Sequence, residues 1–252
     1  MILALSLILL VAFPKMDLLS TIKLAFFCIS FTFLSDSLLN YIKLKKLVFS
    51  SSALITGLIL TLIIDPSAAW YQILAIAAAA MAGKIFLRPS GKHIFNPTAT
   101  GLSIGFLLFG LYPSWWAPSP YDTKNLFNLG NLLIYVTIFF AGYVSCIRYR
   151  RLRAVLAYFG TALLLTLLIP SSSTLIDKLE TLFNPGTFFY SFVMLVEPMT
   201  SPMNKKSQIP YGIFVAATSA LLVYLSNITT LPIYDASIIA LLLGNLIFFK
   251  FR

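Results

Sequence analysis

Thr61-Leu62-Ile63-Ile64-Asp65-Pro66-Ser67 and Met194-Leu195-Val196-Glu197-Pro198-Met199-Thr200 are the two stretches on which the fold turns. Each closes an unusually short apolar segment with an acid followed by proline. Proline removes a backbone donor and its ring clashes with the preceding turn, so a helix stops there. Short interrupted helices at corresponding places in two halves point to a membrane protein built as an inverted repeat, with its site between the halves.

Composition agrees with that frame. The chain has 252 residues, of which 59% are hydrophobic and only 10% charged. A soluble domain carries about 25% charge, and only a bilayer tolerates this much apolar surface. The 22 Phe, 12 Tyr and 3 Trp suit aromatic belts at the interfaces. A net charge of +10 raises nucleic-acid binding on a soluble chain; here the basic residues fall into short loops between apolar runs and read as cytoplasmic anchors. Two cysteines, Cys28 and Cys146, and one histidine are too few ligands for a zinc or iron–sulfur site within this chain.

Turn residues and charges divide the sequence into ten predicted spans: Ile2–Phe13, Leu18–Tyr41, Ser52–Ile64, Ala68–Phe86, Pro97–Leu111, Phe127–Ile147, Ala154–Ile169, Pro185–Val196, Pro210–Leu225 and Pro232–Phe249. Ile2–Phe13 lacks the basic n-region of a signal peptide and reads as a short first span. With the N-terminus inside, Lys43, Lys45, Lys46, Lys84, Arg88, Lys92, Arg148, Arg150, Arg151, Arg153, Lys205, Lys206, Lys250 and Arg252 all fall on inner segments. Lys15, Lys124 and Lys178 fall outside, and Lys23 lies within a span. The positive-inside rule therefore places both termini in the cytoplasm. Five spans per half, an odd number, force the second half upside down. The expected fold is an all-α polytopic membrane protein of ten helices, one membrane domain over residues 1–252, with repeats at about 1–111 and 127–249.

Candidate site residues follow from polar groups inside this frame. Gly91-Lys92-His93-Ile94-Phe95-Asn96-Pro97-Thr98-Ala99-Thr100-Gly101 is the densest polar stretch on the inner side. Phe95-Asn96-Pro97 and Phe183-Asn184-Pro185 read as helix starts, Asn as N-cap and Pro at the first position. Such a start within the membrane also offers unpaired N–H groups and a positive dipole end to an anion or a polar ring edge. Asp36 is an acid within the second span, functional by default unless it merely reaches the inner interface. Asp65 and Glu197 are candidates for an ion path at the repeat interface, or else local caps. No nucleophile–base pair, P-loop, GxGxxG or HExxH occurs. Trp115 and Trp116 in the fifth loop suit an outer partner or the headgroup region.

Four stretches in order resemble one family: Ser50-Ser51-Ser52-Ala53-Leu54-Ile55-Thr56-Gly57-Leu58-Ile59-Leu60, Gly83-Lys84-Ile85-Phe86, Lys92-His93-Ile94-Phe95-Asn96-Pro97 and Glu197-Pro198-Met199-Thr200-Ser201-Pro202. They are similar to the membrane component shared by the Rnf electron-transport complex (RnfD) and the sodium-pumping NADH:quinone reductase (NqrB). The resemblance implies a ten-helix inverted-repeat fold like that of urea transporters. It also implies a flavin-bearing subunit in a plasma-membrane complex that couples electron flow to Na⁺ or H⁺ movement, a redox-driven translocase. Implied partners are other membrane redox subunits and an FMN-binding protein on the outer face. Family members carry one flavin linked through its phosphate to a Thr in an S-G-A-T-like motif and a second, noncovalent riboflavin near the Asn-Pro motif. Here the loop reads Tyr112-Pro113-Ser114-Trp115-Trp116-Ala117-Pro118-Ser119-Pro120-Tyr121-Asp122-Thr123-Lys124, without S-G-A-T, so covalent FMN has no matching attachment residue. Ser50-Ser51 also replaces the family's acidic-Gly pair. The expected cofactor is a noncovalent riboflavin or FMN at His93, Asn96, Thr98 and Thr100, with Thr56 and Thr200 nearby. The alternative expectation is a small-solute transporter or channel on the same fold, without redox activity.

Overall fold

The computed structural model describes residues 1–45, 50–122, 128–169, 174–229 and 234–251. Lys46, Thr123, Lys124, Phe127, Pro232 and Arg252 lie outside the described residues. The helices are α1 (Ile2–Ala12), α2 (Leu18–Leu44), α3 (Ser51–Ile63), α4 (Trp70–Phe86), α5 (Pro97–Phe109), α6 (Leu129–Arg148), α7 (Leu152–Leu168), α8 (Leu175–Leu182), α9 (Pro185–Phe189), α10 (Lys205–Thr229) and α11 (Ala236–Ile247). No strand occurs among the described residues. Each predicted span has a helical counterpart; α8 is an addition. It is an amphipathic two-turn helix whose eight residues, four of them polar, cannot cross a bilayer, so a count of apolar runs passes over it.

The helix starts follow their capping residues. Asp17 accepts from Ser20 N at 2.8 Å, Ser50 from Ala53 N at 3.2 Å, and Asn96 from Ala99 N at 3.0 Å. Thr174 and Asp177 form a reciprocal capping box on α8. Asn184 caps α9 and Asp235 caps α11. Both Asn-Pro pairs are therefore N-caps with Pro in the first turn. α5 ends at Gly110, whose φ of 67° is the left-handed conformation glycine adopts without steric cost. α10 begins five residues before the predicted span and takes Pro210 into its second turn.

α2, α6 and α10 are long and apolar enough to cross a membrane. At 1.5 Å per residue, the 13 residues of α3 reach only about 20 Å. The eighth predicted span is shorter still: α9 runs into a π-helical turn over Tyr190–Met194, then the chain leaves helical geometry before Pro198. The chain separates into two compact units, Met1–Thr137 and Ile138–Arg252. In the first, α2, α3, α4 and α5 form the core, with α1 against α3. Small residues let these backbones meet, as in membrane bundles generally: a Cβ on Gly101 of α5 would lie 2.6 Å from the Ile76 carbonyl oxygen of α4. In the second, α10 packs on α7 and α11.

Candidate functional site

In the first unit, three of the four family-like stretches converge at one end. Lys84, in the last turn of α4, forms an ion pair with Asp36 of α2 at 2.7 Å and donates to Ser50 Oγ, the N-cap of α3, at 3.2 Å. Ser50 Oγ is 2.9 Å from Ser52 Oγ. Beside Lys84, Gly83 lies against Thr100 of α5; a Cβ there would be 3.0 Å from Thr100 Cγ2. Lys43 completes this end by donating to the Ile85 carbonyl at 2.5 Å. Ala53, Ala80 and Met81 form the apolar layer, with Phe33 and Leu39 packed against it.

Asp36 does not reach an aqueous interface, as one reading of the sequence has it. Its side chain is 1% exposed and that of Lys84 is 12% exposed. Lys84 is thus no loop anchor but half of the one ion pair among the described residues. Buried ion pairs overcome desolvation only when their remaining donors and acceptors are satisfied. Here Asp36 Oδ2 is buried without a hydrogen-bond partner. The pair is held on one carboxylate oxygen alone, and its other oxygen is an acceptor in waiting.

The polar stretch before α5 is also buried: His93, Asn96 and Thr98 are nearly inaccessible. The loop is pinned by Ile94 N on the Leu87 carbonyl at 3.0 Å. Asn96 is committed to capping, and its carbonyl also accepts from Thr100 Oγ1 at 2.9 Å. Thr56 turns its hydroxyl back to the Ser52 carbonyl at 3.0 Å. The geometry therefore divides the expected set. His93, Asn96 and Thr98 share the α5 N-terminus, Thr100 joins them to Gly83, and Thr56 lies one turn along α3 from Ser52. This donor set is uncharged and sits at a positive helix end, which fits the polar edge of a flavin ring chemically.

The opposite end of the first unit holds Asp65. Its Oδ1 accepts from Ser67 N at 2.8 Å and Ser67 Oγ at 2.6 Å, a local turn. The open carbonyls of α3 are met from elsewhere. Ser114 N and Trp115 N donate to Ile63 O at 2.9 and 3.2 Å, and Trp116 Nε1 donates to Thr61 O at 2.7 Å. Trp115 adopts φ 51°, a costly left-handed conformation for a bulky residue, and this turns consecutive N–H groups toward the helix end. Trp116 is 8% exposed; it is an internal cap for α3, neither a headgroup anchor nor a partner contact. Lys15 locks this loop by donating to the carbonyls of Trp116 at 3.2 Å, Ala117 at 2.7 Å and Ser119, and its ammonium lies 4.9 Å from the Tyr121 ring centre.

In the second unit, Glu197 and Thr200 belong to one tightly held loop. Glu197 Oε2 accepts from Thr200 Oγ1 at 2.8 Å, and its carbonyl accepts from Ser201 Oγ at 2.7 Å. Arg151 donates to the carbonyls of Pro198, at 3.2 Å, and Pro202. Asn245 donates to the Thr200 carbonyl at 3.2 Å. Arg151 is 4% exposed. Among the basic residues between the sixth and seventh spans it looks like another anchor; its buried role has no local signature.

An all-helical chain with long apolar helices and an ion pair buried between them is a polytopic membrane protein. The profile of the NQR2, RnfD, RnfE family matches residues 1–133, just over half of this chain. The chain belongs to that family, whose members are membrane subunits of Rnf and NQR complexes. No curated protein matches it. The matched region contains the three stretches that meet around Lys84; the Glu197–Pro202 loop lies beyond it.

Proposed function

We propose that this chain is a membrane subunit of a flavin-dependent electron-transport complex, coupling electron transfer to Na⁺ or H⁺ movement. The observation that carries the reading is the family match together with the meeting of Ser50, Lys84 and the Asn96–Thr100 helix start at one end of the first unit. A noncovalent riboflavin or FMN is held by His93, Asn96, Thr98 and Thr100, with Thr56 and Thr200 contributing. A flavin supplies one- and two-electron redox chemistry. The residues of this chain present hydrogen-bonding groups to a ring edge, and the α5 N-terminus favours added negative charge there. Donor and acceptor sites for hydride and for iron–sulfur chemistry belong to partner subunits, including an FMN-binding protein on the outer face. The ten spans form an inverted repeat in the plasma membrane with both termini cytoplasmic.

Of the acids on a prospective ion path, Asp36 is best suited: it is buried, charged and half-satisfied. Asp65 is committed to its turn, and Glu197 to Thr200. The test is the absorption spectrum of purified protein, before and after acid denaturation. A flavin spectrum that leaves with the supernatant, and is lost in Thr98→Val, supports the reading. Protein that stays colourless after addition of riboflavin and FMN overturns it. The second reading, a small-solute transporter on this fold, is favoured by the missing S-G-A-T motif; solute uptake by flavin-free protein in liposomes would establish it.

A further inference from the structure

The second unit contains a cleft with chemistry of its own. α7 and α10 touch backbone to backbone near Gly212, where a Cβ would lie 2.3 Å from the Ala154 carbonyl oxygen. Farther along they frame a cleft of about 390 Å³, floored by small side chains such as Ala162, Ala216 and Ala220. α8 contributes Asp177 and Lys178 to its lining. The volume is in the range of small-molecule sites, about 300–1,000 Å³.

The lining has two chemistries. Its floor is apolar and lies between two membrane-type helices. Its rim is an acid and a base that make no ion pair with each other among the described residues. Lys178 spends one donor on the Ile169 carbonyl at 2.9 Å, leaving two of its three N–H groups. Asp177 spends Oδ2 on the capping box, at 3.0 Å to Thr174 N and 2.7 Å to Thr174 Oγ1, leaving Oδ1. α8 itself is amphipathic, with Leu182 buried and Asp177 exposed, the form of a helix lying at the membrane interface. An exposed tyrosine, Tyr224, shares the lining, in keeping with headgroup depth.

We infer that this cleft binds one amine-bearing zwitterionic phospholipid, with its phosphate on Lys178, its ammonium on Asp177 and an acyl chain along the alanine floor. The charges decide among membrane amphiphiles. A purely anionic headgroup meets the Asp177 carboxylate with no compensating cation of its own, and a quinone offers no charge to either group. The inference stands on the cleft alone and does not depend on the redox reading.

Native mass spectrometry of the full chain, with palmitoyl-oleoyl phosphatidylethanolamine or the matching phosphatidylglycerol added, tests it. One retained phosphatidylethanolamine per chain is expected, with phosphatidylglycerol about tenfold weaker, the equivalent of one charge-assisted hydrogen bond. Ala220→Trp fills the floor and should remove the adduct; Lys178→Gln and Asp177→Asn should each weaken it severalfold. The Asn variant keeps a side-chain oxygen for the α8 cap, and helix content by circular dichroism checks that each variant is folded. An adduct indifferent to Ala220→Trp, equal retention of phosphatidylglycerol, or displacement by ubiquinone in preference to phospholipid would each overturn the assignment.

Discussion

The two acid–proline breaks look alike in sequence and are finished by different physics. At the first, the acid looks after its own turn, and the exposed carbonyls of α3 are covered by backbone N–H groups and an indole from residues 114–116. At the second, a buried guanidinium, a buried amide and the acid itself hold the loop through side chains. A helix end inside an apolar medium must satisfy its last carbonyls. Neutral backbone donors do this with no charge to desolvate. A guanidinium gives stronger bonds but must itself be kept solvated by carbonyls. The first break is therefore a capped end, and the second a charged clamp.

Four substitutions should separate the two. Arg151→Met should have the largest effect, about 3 kcal/mol, because buried carbonyls lose charge-assisted bonds. Thermal melting in nanodiscs should show the loss, and proteolysis should begin within residues 197–204; an unchanged cleavage pattern would mean the clamp is dispensable. Trp116→Phe keeps most of the packing but leaves the Thr61 carbonyl unmet, for about 1–2 kcal/mol by the same melting assay. Glu197→Gln retains an oxygen for Thr200 and should cost less than about 1 kcal/mol. A larger loss would show that the charge itself, and not the hydrogen bond, holds the loop. Asp65→Asn should be smallest, within about 0.5 kcal/mol, since Asn forms the same turn; a substantial drop in melting temperature would erase the distinction between the two acids.

What the sequence discloses follows how local each interaction is. The helix starts at Asn96 and Asn184 are legible because an N-cap and its partner are three residues apart. The helical spans are legible because apolar length and basic loops are written in consecutive residues. The Asp36–Lys84 pair is not, because its members are 48 positions apart and a lysine near a helix end reads as an interfacial anchor. The same holds for Arg151, 51 residues from one of its acceptors. Trp116 is harder still: an aromatic loop in a membrane protein has a ready interfacial explanation, and only packing shows the indole turned onto Thr61. The candidate flavin residues lie between these cases. Their clustering around Asn96 is in the sequence; the meeting of Thr100 with Gly83, next to Lys84, comes from the packing of α5 on α4.

Lys15 sets an order of events for synthesis. Its carbonyl partners lie 101 to 104 residues later in the chain, and Tyr121, whose hydroxyl reaches the Val11 carbonyl, lies 110 residues beyond that acceptor. The ribosome makes α1 long before any of these partners exists. Closing so wide a loop is a late event in folding. Until the segment after α5 emerges, the first helix carries an ammonium with no carbonyl cage, and α3 has an end with no cap. The first unit can therefore close only once about half the chain has been made, and the same step that shelters the lysine also seals the interrupted helix.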